Sequence, residues 1–338
     1  MSITRRGFVA SSLAAGVASG ETKIRIAMLG TGHAHAAGKL KTLQESPDFE
    51  LVGVCEPKTR PAYKNVRWLS EDELFGDRSI QAVAVEGAVP ENLEYGRRVI
   101  AGGKHLHIDK PPTNKMAPFR ELIEEARRKK LAAQCGYIWR FHAGFDRAIE
   151  AVKQGWLGDV FMIRGVMNTD IPNEGRLALA EFKGGMMFEL SCHMIDRVVA
   201  LWGRPTEVRG WLKHHSAIRD TLADNTLAVM EYGGALAVLS SAARMPGHSQ
   251  HRSFEITGSD GAILLAPIEP GTRMRVSMRE ARGPYKAGWQ DVELASQPRY
   301  VNDFKDLAHF IRSGQPLKYS YDHELLVQET LLRATGEV

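Results

Sequence analysis

The sequence predicts an α/β chain with a doubly wound parallel sheet first, then an α+β domain built on an open, mainly antiparallel sheet. Three observations carry that expectation. Between Lys23 and Tyr137 short apolar strands alternate with helix-like stretches, which implies right-handed crossovers and parallel pairing. After about Arg140 the pattern turns strand-rich, with hairpin signals such as Tyr232-Gly233-Gly234. The length of 338 residues suits two domains of ~150 residues each.

The elements follow in order. Ile24 to Leu29 is a short apolar strand ending in glycine, and a helix-like stretch runs from about Ala34 to Gln44. Phe49 to Cys55 is the second strand, closed by Glu56 and Pro57, and Ile80 to Val85 is the third. A helix over 91–101, a strand over 105–109, a helix over 118–129 and a strand over 131–137 complete the first half. The second half begins with a helix from Phe145 to Gln154 and a strand from Val160 to Met167. A helix over 186–202 comes next, then strands including Leu227–Glu231 and Ala235–Ser240, with a turn at Gly258-Ser259-Asp260-Gly261. Helices over 301–313 and 322–335 close the chain. The expected units are therefore 1–20, 21–140 and 141–338.

Composition narrows the function classes. A net charge of +4 is small for this length, and no basic stripe with interleaved aromatics appears, so nucleic acid is not an expected partner. The densest basic cluster, Arg127 to Lys130, sits near a predicted helix end, where cations suit the dipole. Cys55, Cys135 and Cys192 are scattered in apolar-leaning segments and give neither zinc spacing nor a disulfide framework.

The first twenty residues resemble a twin-arginine export signal. Thr4-Arg5-Arg6-Gly7-Phe8-Val9 is followed by an apolar run to Val17 and a small-x-small site at Gly16-Val17-Ala18. That run is shorter than the ~20 residues a bilayer crossing needs. The expectation is a periplasmic or otherwise exported protein with no membrane association once mature, cytoplasmic if the signal is not read as one.

Gly30-Thr31-Gly32 follows the first strand and opens the first helix, as a pyrophosphate-binding turn must. The first glycine permits the tight turn, and the second lets backbone amides approach phosphate. His35 stands where the full glycine pattern has Gly or Ala. Glu56 ends the second strand, where an acid can accept ribose hydroxyls and repel a 2′-phosphate. That favours NAD, while nearby Lys58 and Arg60 keep NADP open. In the second half, Glu189 and His193 are four apart on a predicted helix and so share a face, with Asp196 three further on. Leu190, Met194, Val198 and Leu201 form the opposite apolar stripe. A carboxylate beside an imidazole raises its basicity and orients it. The pairs His33/His35 and His105/His107 invite a metal reading, but no carboxylate or Cys completes a site by spacing, so no metal is expected.

Three stretches carry a family resemblance. Gly103-Lys104-His105-Leu106-His107-Ile108-Asp109-Lys110-Pro111 looks like the G-K-H-V-x-x-E-K-P signature of the glucose–fructose oxidoreductase / inositol dehydrogenase / MocA (Gfo/Idh/MocA) family, with Asp109 for the usual Glu. Gly136 to Phe141 resembles its G-x-x-x-R-F stretch, and Gly184 to Asp196 its G-G-x(3)-D-x(3)-H-x(2)-D segment, with Glu189 for Asp. The resemblance covers residues 23 to 335. It departs at Glu86-Gly87-Ala88-Val89-Pro90, where the family often has Thr-Pro and a downstream His.

The resemblance implies a Rossmann-type domain followed by a substrate and oligomerisation domain, assembling as a homodimer or homotetramer through the C-terminal sheet. It implies Lys110, His193 and Glu189 as catalytic residues, with the Lys110 pKa lowered by partial burial. The implied cofactor contacts are Gly30, Thr31, Gly32, His33, Glu56, Gly87, Lys110 and Arg140. The implied substrate contacts are Tyr137, Arg140, Asn168 and Asp196, with loops such as 168–176 choosing the sugar. The expected activity is hydride transfer between a sugar or cyclitol and NAD(P). A redox-neutral enzyme with retained cofactor, either a sugar–sugar oxidoreductase or an NAD-dependent glycoside hydrolase, stays open, as does a non-catalytic dinucleotide or sugar binder.

Overall fold

The first strand, β1 (Ile24–Leu29), is buried at every residue except the half-buried Arg25, as a strand covered on both faces must be. In this computed structural model, which describes residues 22–338, β1 lies at the centre of a six-stranded sheet. The export-signal reading of residues 1–20 lies outside the described residues. Around β1 the chain lays down α1 (Ala36–Gln44), β2 (Phe49–Cys55), β3 (Trp68–Leu69), α2 (Glu71–Gly76) and β4 (Ala82–Val85). Then come α3 (Val89–Ala101), β5 (His105–Asp109), α4 (Met116–Lys129) and β6 (Ala133–Gly136). Every pairing is parallel, in the order β3-β2-β1-β4-β5-β6. The strand order reverses between β1 and β4, so a ligand crevice opens at their carboxyl ends. The β3 and α2 elements escaped the sequence reading. Two residues give β3 no periodicity, but α2 carries a capping box, Ser70 with Glu73.

The second half starts with α5 (Ala143–Lys153), β7 (Val160–Val166), α6 (Asn173–Ala180), α7 (Gly185–Glu189) and α8 (Ser191–Trp202). The strands β8 (Glu207–Lys213), β9 (Asn225–Tyr232) and β10 (Ala235–Ala242) follow, then a 3-10 turn at His248–His251. The strands β11 (Ser253–Gly258), β12 (Gly261–Leu265), β13 (Met274–Met278) and β14 (Gly288–Val292) complete an eight-stranded sheet. Its order is β14-β13-β12-β11-β7-β10-β9-β8, antiparallel except for the β7–β10 pair. Met194 and Val198 of α8 share a buried core with Ile163, Leu239, Phe254 and Ile256 of that sheet.

Two helices end the chain. The first, α9 (Val301–Ser313), does not stay with the second sheet. Its Phe304, Leu307 and Ala308 bury against Ile24, Ile26, Met28, Ala82, Ala84 and Ala132, covering one face of the first sheet. The second, α10 (Tyr321–Thr335), runs against α4 and α8. No helix among the described residues is long and apolar enough to cross a membrane.

Two sequence expectations are corrected. The helix over 186–202 is broken at Leu190, which caps α7 and opens α8 with φ −102° and ψ −48°. The expected substrate loop over 168–176 contains the start of α6, and its Arg176 is buried with Asp220 and Asp224 at 2.6 and 2.8 Å.

Candidate active site

The turn after β1 meets the turn after β4 with no room for a side chain. Gly30 sits at φ +79°, and a Cβ there would meet Gly87 Cα and N at 2.7 Å; one on Gly32 would meet Ala88 N at 2.8 Å. The Gly30 and His33 amides bond to Cys55 and Glu86 carbonyls, while the Thr31 and Gly32 amides have no acceptor among the described residues. Those amides suit a pyrophosphate. Glu56 leaves β2 beside them, accepting from Thr31 Oγ1 at 2.6 Å and the Lys58 amide at 2.8 Å. Lys58, which kept NADP open, is paired with Glu91, and the Arg60 guanidinium lies 5.2 Å over the Trp68 ring. The residues present thus fit a dinucleotide with free ribose hydroxyls.

Beneath this turn lies a buried polar cluster. Lys39 of α1 reaches Glu86 and Asp109, each at 2.7 Å, and both of its neighbours' carboxylates are fully buried. Burial works against the Lys39 ammonium, but the two acids outweigh it and raise its pKa. Burial pushes Glu86 up, whereas its basic neighbours, Lys39 among them, hold Asp109 down in spite of burial. Asp109 also lies 3.1 Å from the Nδ1 of both His33 and His35. Sequence spacing offered no carboxylate for that histidine pair, and the fold supplies one from β5. A cation among the three would have to displace the Lys39 ammonium from Asp109 Oδ2 and the His35 amide, which points at His33 Nδ1 from 3.1 Å. The set reads as a hydrogen-bond network, with His35 held neutral by burial at a pKa of about 4.

At the end of β5, Lys110 crosses to the second half. Its Nζ donates to Glu189 Oε1 at 2.7 Å and to the Glu189 carbonyl at 2.9 Å. Burial alone would lower this lysine, yet the Glu189 carboxylate raises it, the reverse of the expected lowering. Glu189 therefore serves Lys110 and not His193, because the break at Leu190 removes the shared helix face. His193 is buried, its Nδ1 has no partner among the described residues, and burial followed by the Lys110 charge holds its pKa well below the usual range. Its imidazole is neutral. The rings of Trp139, Tyr137 and His35 stand 5.8, 6.0 and 6.2 Å from it.

Three expected ligand contacts are corrected. Arg140 is 1% exposed and lies between Asp196 at 2.9 Å and Glu324 of α10. Asp196 is fully buried and also meets Arg197 and His323, so the polar atoms of both residues are committed to joining the halves of the chain. Asn168 is half-buried, its side chain committed to the Ala242 amide at 2.8 Å and to Met245 Sδ at 2.9 Å. Tyr137 remains beside His193.

The sequence reading missed Lys39, Glu86, His35 and Asp109. One signal was available. Ala36, Lys39, Leu40 and Leu43 are the buried face of α1, so helical spacing alone puts a lysine in the core, where it requires acids.

Comparison with known proteins adds to this geometry. Residues 24–137 match the model of the GFO/IDH/MocA oxidoreductase family with an NAD-binding Rossmann fold, and residues 145–264 match the GFO/IDH/MocA C-terminal domain. Over 306 residues the chain is 23% identical to a myo-inositol 2-dehydrogenase of Thermotoga maritima, spanning 87% of this chain and 88% of that protein. Among solved structures, the yvaA oxidoreductase of Bacillus subtilis superposes with a TM-score of 0.79 at 18% identity over 94% of this chain and 96% of its own. An aldose–aldose oxidoreductase of Caulobacter crescentus superposes at 0.78 with 20% identity over 94% and 98%. These likenesses are of fold.

Proposed function

The chain belongs to the Gfo/Idh/MocA family of NAD-binding oxidoreductases, and on that premise we propose that it oxidises a hydroxyl of a sugar or cyclitol, or reduces the matching ketone. The observation that carries this reading is a buried, charged Lys110 beside a neutral His193 at the carboxyl ends of the first sheet. NAD supplies the hydride acceptor. The neutral imidazole of His193 takes the hydroxyl proton as hydride leaves the carbon, and the Lys110 ammonium steadies the developing alkoxide. Glu189 positions Lys110. Gly30, Thr31, Gly32, His33, Glu56 and Gly87 form the cofactor cradle, and Tyr137 packs beside the reacting groups. Names of similar proteins, a myo-inositol dehydrogenase and an aldose–aldose oxidoreductase, support a sugar-like substrate.

A second reading rests on Arg5 and Arg6. Export through a twin-arginine signal carries a folded chain away from the soluble nicotinamide pool, so the cofactor would stay bound and the net reaction would be redox-neutral between two sugars. Assembly of copies through the outer face of the second sheet fits its apolar pairs, exposed Trp211 with half-buried Leu227 and half-buried Val229 with Val238. Mass spectrometry of the co-purified nucleotide, with a panel of aldoses, cyclitols and glycosides, tests both. Net NAD reduction supports the first reading, and turnover without added NAD supports the second. A folded, NAD-binding protein that transforms nothing in the panel would overturn the enzyme assignment to sugars.

A further inference from the structure

A cavity of about 470 Å³ lies in the second half of the molecule, apart from the Lys110–His193 cluster. Its walls are the turn between β12 and β13 (Glu269 to Thr272), residues 294–299 leading into α9, the 3-10 turn with Arg252, and the start of α5. Its charged groups are Arg252, Arg299 and Glu269. Glu269 answers Arg299, whose Nε donates to it at 3.0 Å. Arg252 makes no ion pair of its own among the described residues and feels Glu269 only at longer range, against burial and the Arg299 charge. Its Nε donates to the Asn168 carbonyl at 3.3 Å, and among the described residues its two terminal nitrogens meet no acceptor. His142 contributes no charge, since burial lowers its pKa, and its Nε2 pairs with Thr272 Oγ1 at 3.0 Å. Two guanidiniums thus share one carboxylate, which leaves the cavity a net positive charge, with half-buried Arg252 flanked by the hydroxyls of Ser249 and Ser296 and the amide of Gln297.

Two contacts lead from the cavity walls toward the candidate active site. Arg252 holds the carbonyl of Asn168, just past the end of β7. Arg299 precedes Tyr300, whose ring stands 5.6 Å from that of His35, itself 6.2 Å from His193. We propose that this cavity binds an anionic substituent of the substrate, a carboxylate or phosphate remote from the hydroxyl that is oxidised, with Arg252 as its main ligand. The inference rests on the sugar-oxidising reading and narrows it to acidic sugars. A half-buried guanidinium with no ion pair of its own is partly desolvated, and a planar oxyanion offers the bidentate partner it lacks. A neutral polyol would leave that charge unanswered.

The test uses the full NAD-loaded chain and three probes, methyl glucuronide, glucose 6-phosphate and methyl glucoside, in titration calorimetry and turnover. An anionic probe should bind more tightly than the glucoside, less so in high salt, and the better of the two names carboxylate or phosphate. Arg252→Gln should weaken the anionic probe by about 10–100-fold and raise its KM while kcat holds, with the glucoside little changed. Glu269→Gln, which frees Arg299, should tighten the anionic probe, an effect that misfolding cannot imitate. Equal binding of all three probes, or equal weakening by Arg252→Gln, would overturn the proposal. If the anionic probe binds through Arg252 yet no sugar is oxidised, the cavity stands and the dehydrogenase reading falls.

Discussion

Glu189 holds Lys110 from 79 positions away, with 2.7 Å between carboxylate and ammonium and a second bond from the ammonium to the Glu189 carbonyl. The lysine's charge thus depends on the α7 end, and His193 is left without an acid of its own.

Replacing Glu189 with Gln should leave the Lys110 ammonium buried and unanswered. Breaking such a pair costs about 3 kcal/mol, read as a lower urea midpoint. With its folded pKa raised, Lys110 contributes stability that is full below the unfolded lysine pKa and lost as pH rises through the folded one. The variant's alkaline limb of kcat should therefore move to lower pH, and an unmoved limb would separate Glu189 from Lys110 in function.

His193→Asn should cut turnover by ~10²–10⁴ with NAD affinity retained. Because the His193 pKa is held down, the wild-type acid limb should fall well below that of an ordinary imidazole. Wild-type kcat in the folded variant would remove His193 from the chemistry.

Glu56→Ala should weaken NAD by about 1–3 kcal/mol and shift preference toward NADP, since its carboxylate is already oriented by Thr31 and Lys58. Calorimetry with both nucleotides reads the change, and equal affinities before and after would exclude a ribose contact.

Arg140→Gln should lower stability by about 3 kcal/mol, because buried Glu324 then loses its guanidinium partner, while Asp196 keeps Arg197 and His323. KM and kcat of the folded fraction should hold. A selective rise in KM, with melting unchanged, would restore the ligand role that the geometry removes.

Acid should unfold this protein early. Burial first of all lowers His35 and His105 to about 4 and His107 to about 3, so each binds its proton in the unfolded chain before the folded one. Their contribution is full above the unfolded pKa of about 6.5 and falls by ~1.4 kcal/mol per group for each pH unit from there down to the folded pKa, where the loss ends. Urea midpoints at successively lower pH test this, and His107→Gln should flatten the slope. A slope unchanged by that substitution would acquit His107.

The sequence showed what periodicity and local turns encode. Gly30-Thr31-Gly32 after an apolar strand located the crevice, and alternating strands and helices gave the parallel sheet. Spacing failed where its premise failed. Glu189 and His193 share a face only on an unbroken helix, and the turn at Leu190 interrupts it. Arg140 and Asp196 looked like ligand contacts because local sequence cannot show Glu324, which arrives 184 positions later. Lys39 announced its burial through its helix face, but its acids come from the ends of β4 and β5.

The return of α9 to the first sheet bears on the order in which the molecule can be completed. A ribosome delivers β1 to β6 long before Phe304 and Leu307 emerge, so the face carrying Ile24, Ile26 and Met28 has only Leu40 and Leu43 of α1 over it while the second sheet is made. That sheet is then closed last although its strands are synthesised first, and a chain stopped before residue 301 should aggregate.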